Sequence, residues 1–115
     1  MITSLTRACA ALALAALPLL SATPAAAAAA PCPSGSVCFY TGADYGGQSW
    51  EWSPRSGYRD MPAHLHDHVG SFVANVDACF IDWSPKATRQ VRSGDWRRDY
   101  RNDFGGRIDA VSASC

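Results

Sequence analysis

Beyond residue 30 the apolar positions show no sustained helical periodicity. They come in short continuous or alternating runs, separated by clusters of Gly, Pro, Ser and Asp. That pattern predicts an all-β chain, with strands over Val37–Tyr40, Gln48–Ser53, Gly70–Val76, Cys79–Trp83, Arg89–Arg92 and Ile108–Ala113. In the second run Trp50 and Trp52 fall on one side and Ser49, Glu51 and Ser53 on the other, because successive strand side chains alternate. Two indoles on one side predict a buried face.

The chain also echoes itself. VCFYTG returns about forty residues later as ACFIDW, aligning Cys38 with Cys79 and Phe39 with Phe80, and HDHVGSF is loosely matched by GGRIDAV. Such a period predicts two similar supersecondary units stacked on each other, each with room for about four strands in a Greek key.

Residues 1–30 have a different character. Arg7 precedes the apolar run Ala8–Leu20, and SATPAAAAAAPCP then offers several Ala-x-Ala steps. This predicts a secretory signal peptide over 1–28, cut within 26–30 and first of all between Ala26 and Ala28, leaving one domain over 31–115. An uncleaved anchor is the alternative, but alanine is weakly hydrophobic and Pro18 and Pro24 interrupt the run. The expected location is therefore extracellular, with no membrane contact after cleavage.

A domain of about 85 residues is close to the size at which one hydrophobic core is marginal. Cys9 leaves with the signal, so Cys32, Cys38, Cys79 and Cys115 remain, an even number that predicts two disulfides in an exported chain. Spacing alone leaves three pairings open. Cys32–Cys38 with Cys79–Cys115 is preferred, because the proline and glycine of CPSGSVC can turn the chain and a final cysteine can tie down the terminus. On the loop-entropy model the two bridges contribute about 2 and about 4 kcal/mol. The lack of a second Cys-x2-Cys or Cys-x2-His pair argues against a cysteine zinc site.

Past residue 30 ten acids face nine bases, which implies no bulk attraction to nucleic acid or an anionic membrane. GDWRRDYRNDFGGR, Gly94–Arg107, interleaves arginines with Trp96, Tyr100 and Phe104, but Asp95, Asp99 and Asp103 offset that charge. We read it as a polar connection anchored by buried aromatics, not as a nucleic-acid surface.

Tyr40-x4-Tyr45-x-Gly47 resembles the signature of the βγ-crystallin Greek key, in which the first hairpin folds back over the sheet. The aromatic pair packs into that corner and the glycine adopts a conformation other residues avoid. HDHVGSFVANV resembles the family's fourth-strand segment, with Ser71 at the serine that ties the hairpin down. With CPSGSVCFY added, the mature chain resembles more narrowly the streptomycete metalloproteinase inhibitors, which are secreted crystallin-like domains. The resemblance implies a βγ-crystallin-like Greek-key sandwich of two four-strand units.

Microbial βγ-crystallins bind Ca²⁺ through an Asn/Asp-Asn/Asp-x-x-Ser/Thr-Ser segment in each Greek key. Here His66-Asp67-His68-Val69-Gly70-Ser71 keeps Asp67 and Ser71, and Gly105–Ala110 keeps only Asp109 at the serine position. A degenerate turn is the preferred reading. His64, His66 and His68 would share one face of a strand, about 7 Å apart, and could join Asp67 in a Zn²⁺ site. The family layout puts them in a loop, where solvated histidines are the plainer expectation. No cofactor is expected.

No catalytic set stands out: Gly-x-Ser-x-Gly, His-Glu-x-x-His and a Gly-rich phosphate loop are all missing from the sequence. The resemblance implies a monomeric inhibitor of a secreted protease, first of all an extracellular metalloprotease, blocked by a rigid loop. The prototype's reactive bond lies in a second short disulfide loop that this chain lacks, so that bond does not carry over. Two segments are expected to be exposed: Ser53–His68, with Met61 and Leu65 for an apolar specificity pocket, and Ser84–Gly94, with Lys86, Arg89 and Arg92. The first is slightly preferred. The alternative is a secreted, non-inhibitory crystallin-like binding, stress or toxin-like domain, in some relatives calcium-linked.

Overall fold

The computed structural model describes residues 31–115. The expected signal peptide lies outside them. Among the described residues no helix is long and apolar enough to cross a membrane.

Eight strands form: β1 (Val37–Tyr40), β2 (Ser49–Trp52), β3 (Arg59–Asp60), β4 (Ser71–Ala74), β5 (Ala78–Trp83), β6 (Lys86–Val91), β7 (Trp96–Arg97) and β8 (Ala110–Ser112). They make two four-stranded antiparallel sheets, in the orders β2-β1-β4-β7 and β3-β8-β5-β6. Within the repeat β1 answers to β5 and β4 to β8. The third strand of each half leaves its own sheet: β3 pairs with β8 and β7 with β4. The two sheets therefore do not coincide with the two sequence units.

The inner faces meet around the repeated phenylalanines. Phe39 of β1 and Phe80 of β5 lie 5.2 Å apart between ring centroids. Phe72 packs edge-on to Phe80 at 5.0 Å, and Tyr100 adds a fourth ring 5.0 Å from Phe72. Val37, Trp52, Ala74, Val91 and Val111 complete the layer from the strands, and Leu65, Val69, Phe104 and Ile108 close it from the connections. On the outer face of the second sheet Cys79 and Ile81 pack with Ala110 in a small separate cluster. Burial is the main cause that pushes the Tyr100 phenol up to about 12.

The disulfides join Cys32 to Cys38 and Cys79 to Cys115. The first closes the turn that feeds β1, and the second pins the C-terminus to β5.

The hairpin between β1 and β2 folds over its sheet. Tyr40 and Tyr45 meet edge to face at 5.7 Å. Asp44, Tyr45 and Gly47 have positive φ of 54°, 61° and 80°, so two non-glycine residues stand in the left-handed region. Ser71, fully buried, compensates: its Oγ accepts from the Tyr45 N–H (2.9 Å) and donates to the Gly42 carbonyl (2.7 Å). Ser71→Ala strands both backbone groups and is expected to cost about 2 kcal/mol, read as a lower urea midpoint with an unchanged slope.

Candidate functional site

One end of the sandwich carries two large aromatics in the open. Tyr58, just before β3, is 47 % exposed, and Trp83, at the end of β5, is 46 % exposed. Their rings lie 6.3 Å apart. The Trp83 Nε1–H donates to the Tyr58 hydroxyl (2.9 Å), which donates in turn to Asp60 Oδ1 (2.9 Å). Desolvation, with Asp60 adding to it, outweighs the bond from Trp83 and holds the Tyr58 phenol above its ordinary range. Lys86 Nζ sits over the Trp83 ring at 5.4 Å.

The loop leading to Tyr58 is exposed but braced. Residues Pro54–Ser56 form a 3₁₀ turn, with N–H bonds from Ser56 to Ser53 (2.9 Å) and from Gly57 to Pro54 (3.0 Å). Trp52 is buried beneath the turn and its Nε1 donates to the Gly57 carbonyl at 2.8 Å. A core side chain thus fixes the backbone of a solvent-facing loop.

Beside this end runs an open groove of about 770 Å³, lined by Asp60, His66, Asp82, Arg107 and Asp109 among others. Asp82 is buried. Desolvation would raise its pKa, but hydrogen bonds from the Ser84 N–H and Arg107 Nε outweigh that and hold it below the ordinary carboxylate range.

Several expected sites are corrected. Met61 and Leu65 are not available to a protease pocket: they are 5 % and 0 % exposed and belong to the core. The chain turns helically there, with the Leu65 and His66 N–H groups both bonded to the Pro62 carbonyl, so Met61, Leu65 and Val69 point inward together. Ser84–Gly94 is largely strand β6, paired along its length with β5. Arg89 there is ion-paired to Asp103 and lies over Phe104.

Among the metal candidates, Ser71 is excluded because its buried hydroxyl is used in both directions within the hairpin. His64 and His68 are exposed and stand outside the donor cluster that joins His66 and Asp67 to Asp109. Calcium does not fit the family's segment here. A side chain at Gly70 would place its Cβ 2.5 Å from the Thr41 carbonyl oxygen, so no side-chain oxygen fits at that position. His66 presents nitrogen where the family presents oxygen, and Ca²⁺ takes six to eight oxygens.

Of the three aromatics in Gly94–Arg107, Tyr100 and Phe104 are core residues and Trp96 is exposed. Arg98 pairs with Asp44, Arg101 with Asp99 and Arg107 with Asp82. The aromatics that gave the segment its nucleic-acid look are thus mostly unavailable for stacking.

The architecture is that of the βγ-crystallins. A solved structure described under "Evolution of the eye lens beta-gamma-crystallin domain fold" matches with a TM-score of 0.57 at 19 % identity, covering 74 % of this chain and 91 % of that one. A beta gamma crystallin from Ciona intestinalis matches with a TM-score of 0.51 at 15 % identity, covering 68 % and 98 %. Within that fold class the chain belongs to peptidase inhibitor family I36, whose model matches residues 25–82. Membership of a peptidase inhibitor family marks it as a non-enzyme.

Curated relatives come from Dictyostelium discoideum. An uncharacterized gerABC family protein is 44 % identical over 84 residues, which are 73 % of this chain and 76 % of that protein. Spore germination protein 1 is 31 % identical over 81 residues, 69 % of this chain and 64 % of that protein.

Proposed function

We propose that the protein is a secreted inhibitor of extracellular metalloproteases, and that the braced loop Ser53–Tyr58, with Trp83 beside it, enters the active-site cleft. The observation that carries this reading is the bond from buried Trp52 to the Gly57 carbonyl. A loop already fixed before contact loses little entropy on binding. Cleavage within it would leave the ends held by the sheet, so a cut product stays in place. Exposed Tyr58 and Trp83 supply the aromatic anchors that dominate most interfaces and suit an apolar specificity pocket. Two disulfides fit an oxidising, extracellular compartment.

The test is a titration of a thermolysin-type metalloprotease and a subtilisin-type serine protease with the purified protein. Stoichiometric loss of the first activity is expected. Replacing both Tyr58 and Trp83 with alanine should weaken inhibition by at least about a hundredfold with little change in melting temperature, since both side chains are half exposed. Unchanged inhibition by the double variant would sink the loop assignment; no inhibition of any metalloprotease would sink the target class.

Likeness to spore germination protein 1 favours a second reading, a secreted crystallin-like binding domain with no protease target. It predicts full residual activity at every ratio of protein to protease.

A further inference from the structure

We infer that His66, Asp67 and Asp109 bind a divalent transition-metal ion, with Zn²⁺ the best match to their donors. The inference is independent of the inhibitor reading. It starts from the misfit of calcium: where oxygens are missing, an imidazole has been placed between two carboxylates.

His66 Nδ1 lies 3.2 Å from Asp67 Oδ2, and its Nε2 lies 3.0 Å from Asp109 Oδ1. A neutral imidazole carries one N–H and one lone pair. Each ring nitrogen thus has a carboxylate oxygen within reach, and whichever nitrogen does not carry the proton can offer its lone pair to a cation shared with these carboxylates.

The surrounding chain holds the donors in place. The Asp67 N–H bonds to the Ile108 carbonyl (3.1 Å) and the Met61 N–H to the Asp109 carbonyl (2.9 Å), so the connection before β4 and the segment before β8 run side by side. Asp109 Oδ2 accepts from the Trp83 N–H at 2.7 Å, which orients the carboxylate and leaves Oδ1 for an ion, the usual role of an outer partner at a metal site. One donor atom from each of the three residues lies within 4.8 Å of the others. Donors around a tetrahedral zinc are about 3.3 Å apart, a contraction within reach of the half-exposed His66 and Asp67 side chains.

Charge and donor type agree. Asp60, Asp67, Asp82 and Asp109 line the groove against Arg107, and Arg107 is engaged by Asp82 at 2.9 Å. The remaining carboxylates give a cation-attracting field. One imidazole with two carboxylates suits zinc and its first-row neighbours rather than calcium or magnesium, and the fourth position opens to the groove and to water.

The experiment is isothermal titration of ZnCl₂ into the purified, chelator-treated protein, with parallel melting curves in ZnCl₂ or CaCl₂. One zinc per chain is expected, with a melting temperature raised by about 15 °C at a hundredfold excess over Kd. His66→Gln should weaken binding at least about thirtyfold, while His64→Asn should leave it unchanged. X-ray absorption at the zinc edge should show one imidazole in the first shell. The inference is overturned if no heat of binding is found, if His66→Gln binds as tightly as the parent, or if Ca²⁺ gives the same stabilisation as Zn²⁺.

Discussion

Phe80→Ala is expected to cost about 4 kcal/mol and to lower the melting temperature by about 20 °C. Phe80 is fully buried and touches a ring from β1, a ring from β4 and Tyr100 at once. Its loss opens a cavity at the centre of the aromatic cluster that joins the two halves of the repeat. Domains of this size hold about 5–15 kcal/mol in total, so the variant sits near the edge of folding. Chemical denaturation followed by tryptophan fluorescence checks the value. A loss below about 1 kcal/mol would mean that the sheets can collapse around the gap. Phe80→Leu, which keeps most of the volume, should cost roughly a third as much. Tyr100 gives a second readout: its phenol should ionise at a lower pH in Phe80→Ala, because burial is what raises it.

Removing the Cys79–Cys115 bridge is the second large effect. Cys79→Ala with Cys115→Ala frees a loop with a sequence separation of 36, against 6 for Cys32–Cys38. The unfolded chain gains correspondingly more freedom, giving a cost of about 4 kcal/mol against about 2 for the short loop. Cys79 is also fully buried behind Ile81 and Ala110, so alanine there loses packing as well. Paired urea melts of the two double variants measure the difference. Equal losses would show that the long bridge acts mainly on the native state and not through the denatured one.

Much of the fold was legible because it rests on period-two runs and a repeat. VCFYTG and ACFIDW announce β1 and β5, and Trp50 with Trp52 announces the buried side of β2. The strands β3 and β7 left no mark: Arg59–Asp60 and Trp96–Arg97 are two residues long and exposed, so no apolar alternation exists to read. Lys86–Val91 began earlier than expected because its polar residues stand on an edge strand, where solvent takes one side. Met61 and Leu65 were misread for a different reason. Turn residues around them suggested exposure, yet Met61, Leu65 and Val69 recur every fourth residue, which is the signal of one buried face. The meeting of His66 with Asp109 depends on tertiary packing, and only the alignment of HDHVGS with GGRIDA hinted at it. The partnership of Tyr58 and Trp83 left no signal in the spacing.

The exchange of third strands has a bearing on how such a chain could arise. Cut at its midpoint, each half would keep three strands of one sheet and carry a fourth that fits only the other. A lone ancestral unit could complete both layers only by trading that strand with a copy of itself. In this chain the trade is made within one molecule, so backbone hydrogen bonds in both sheets tie the half with the tyrosine corner to the half with the terminal cystine.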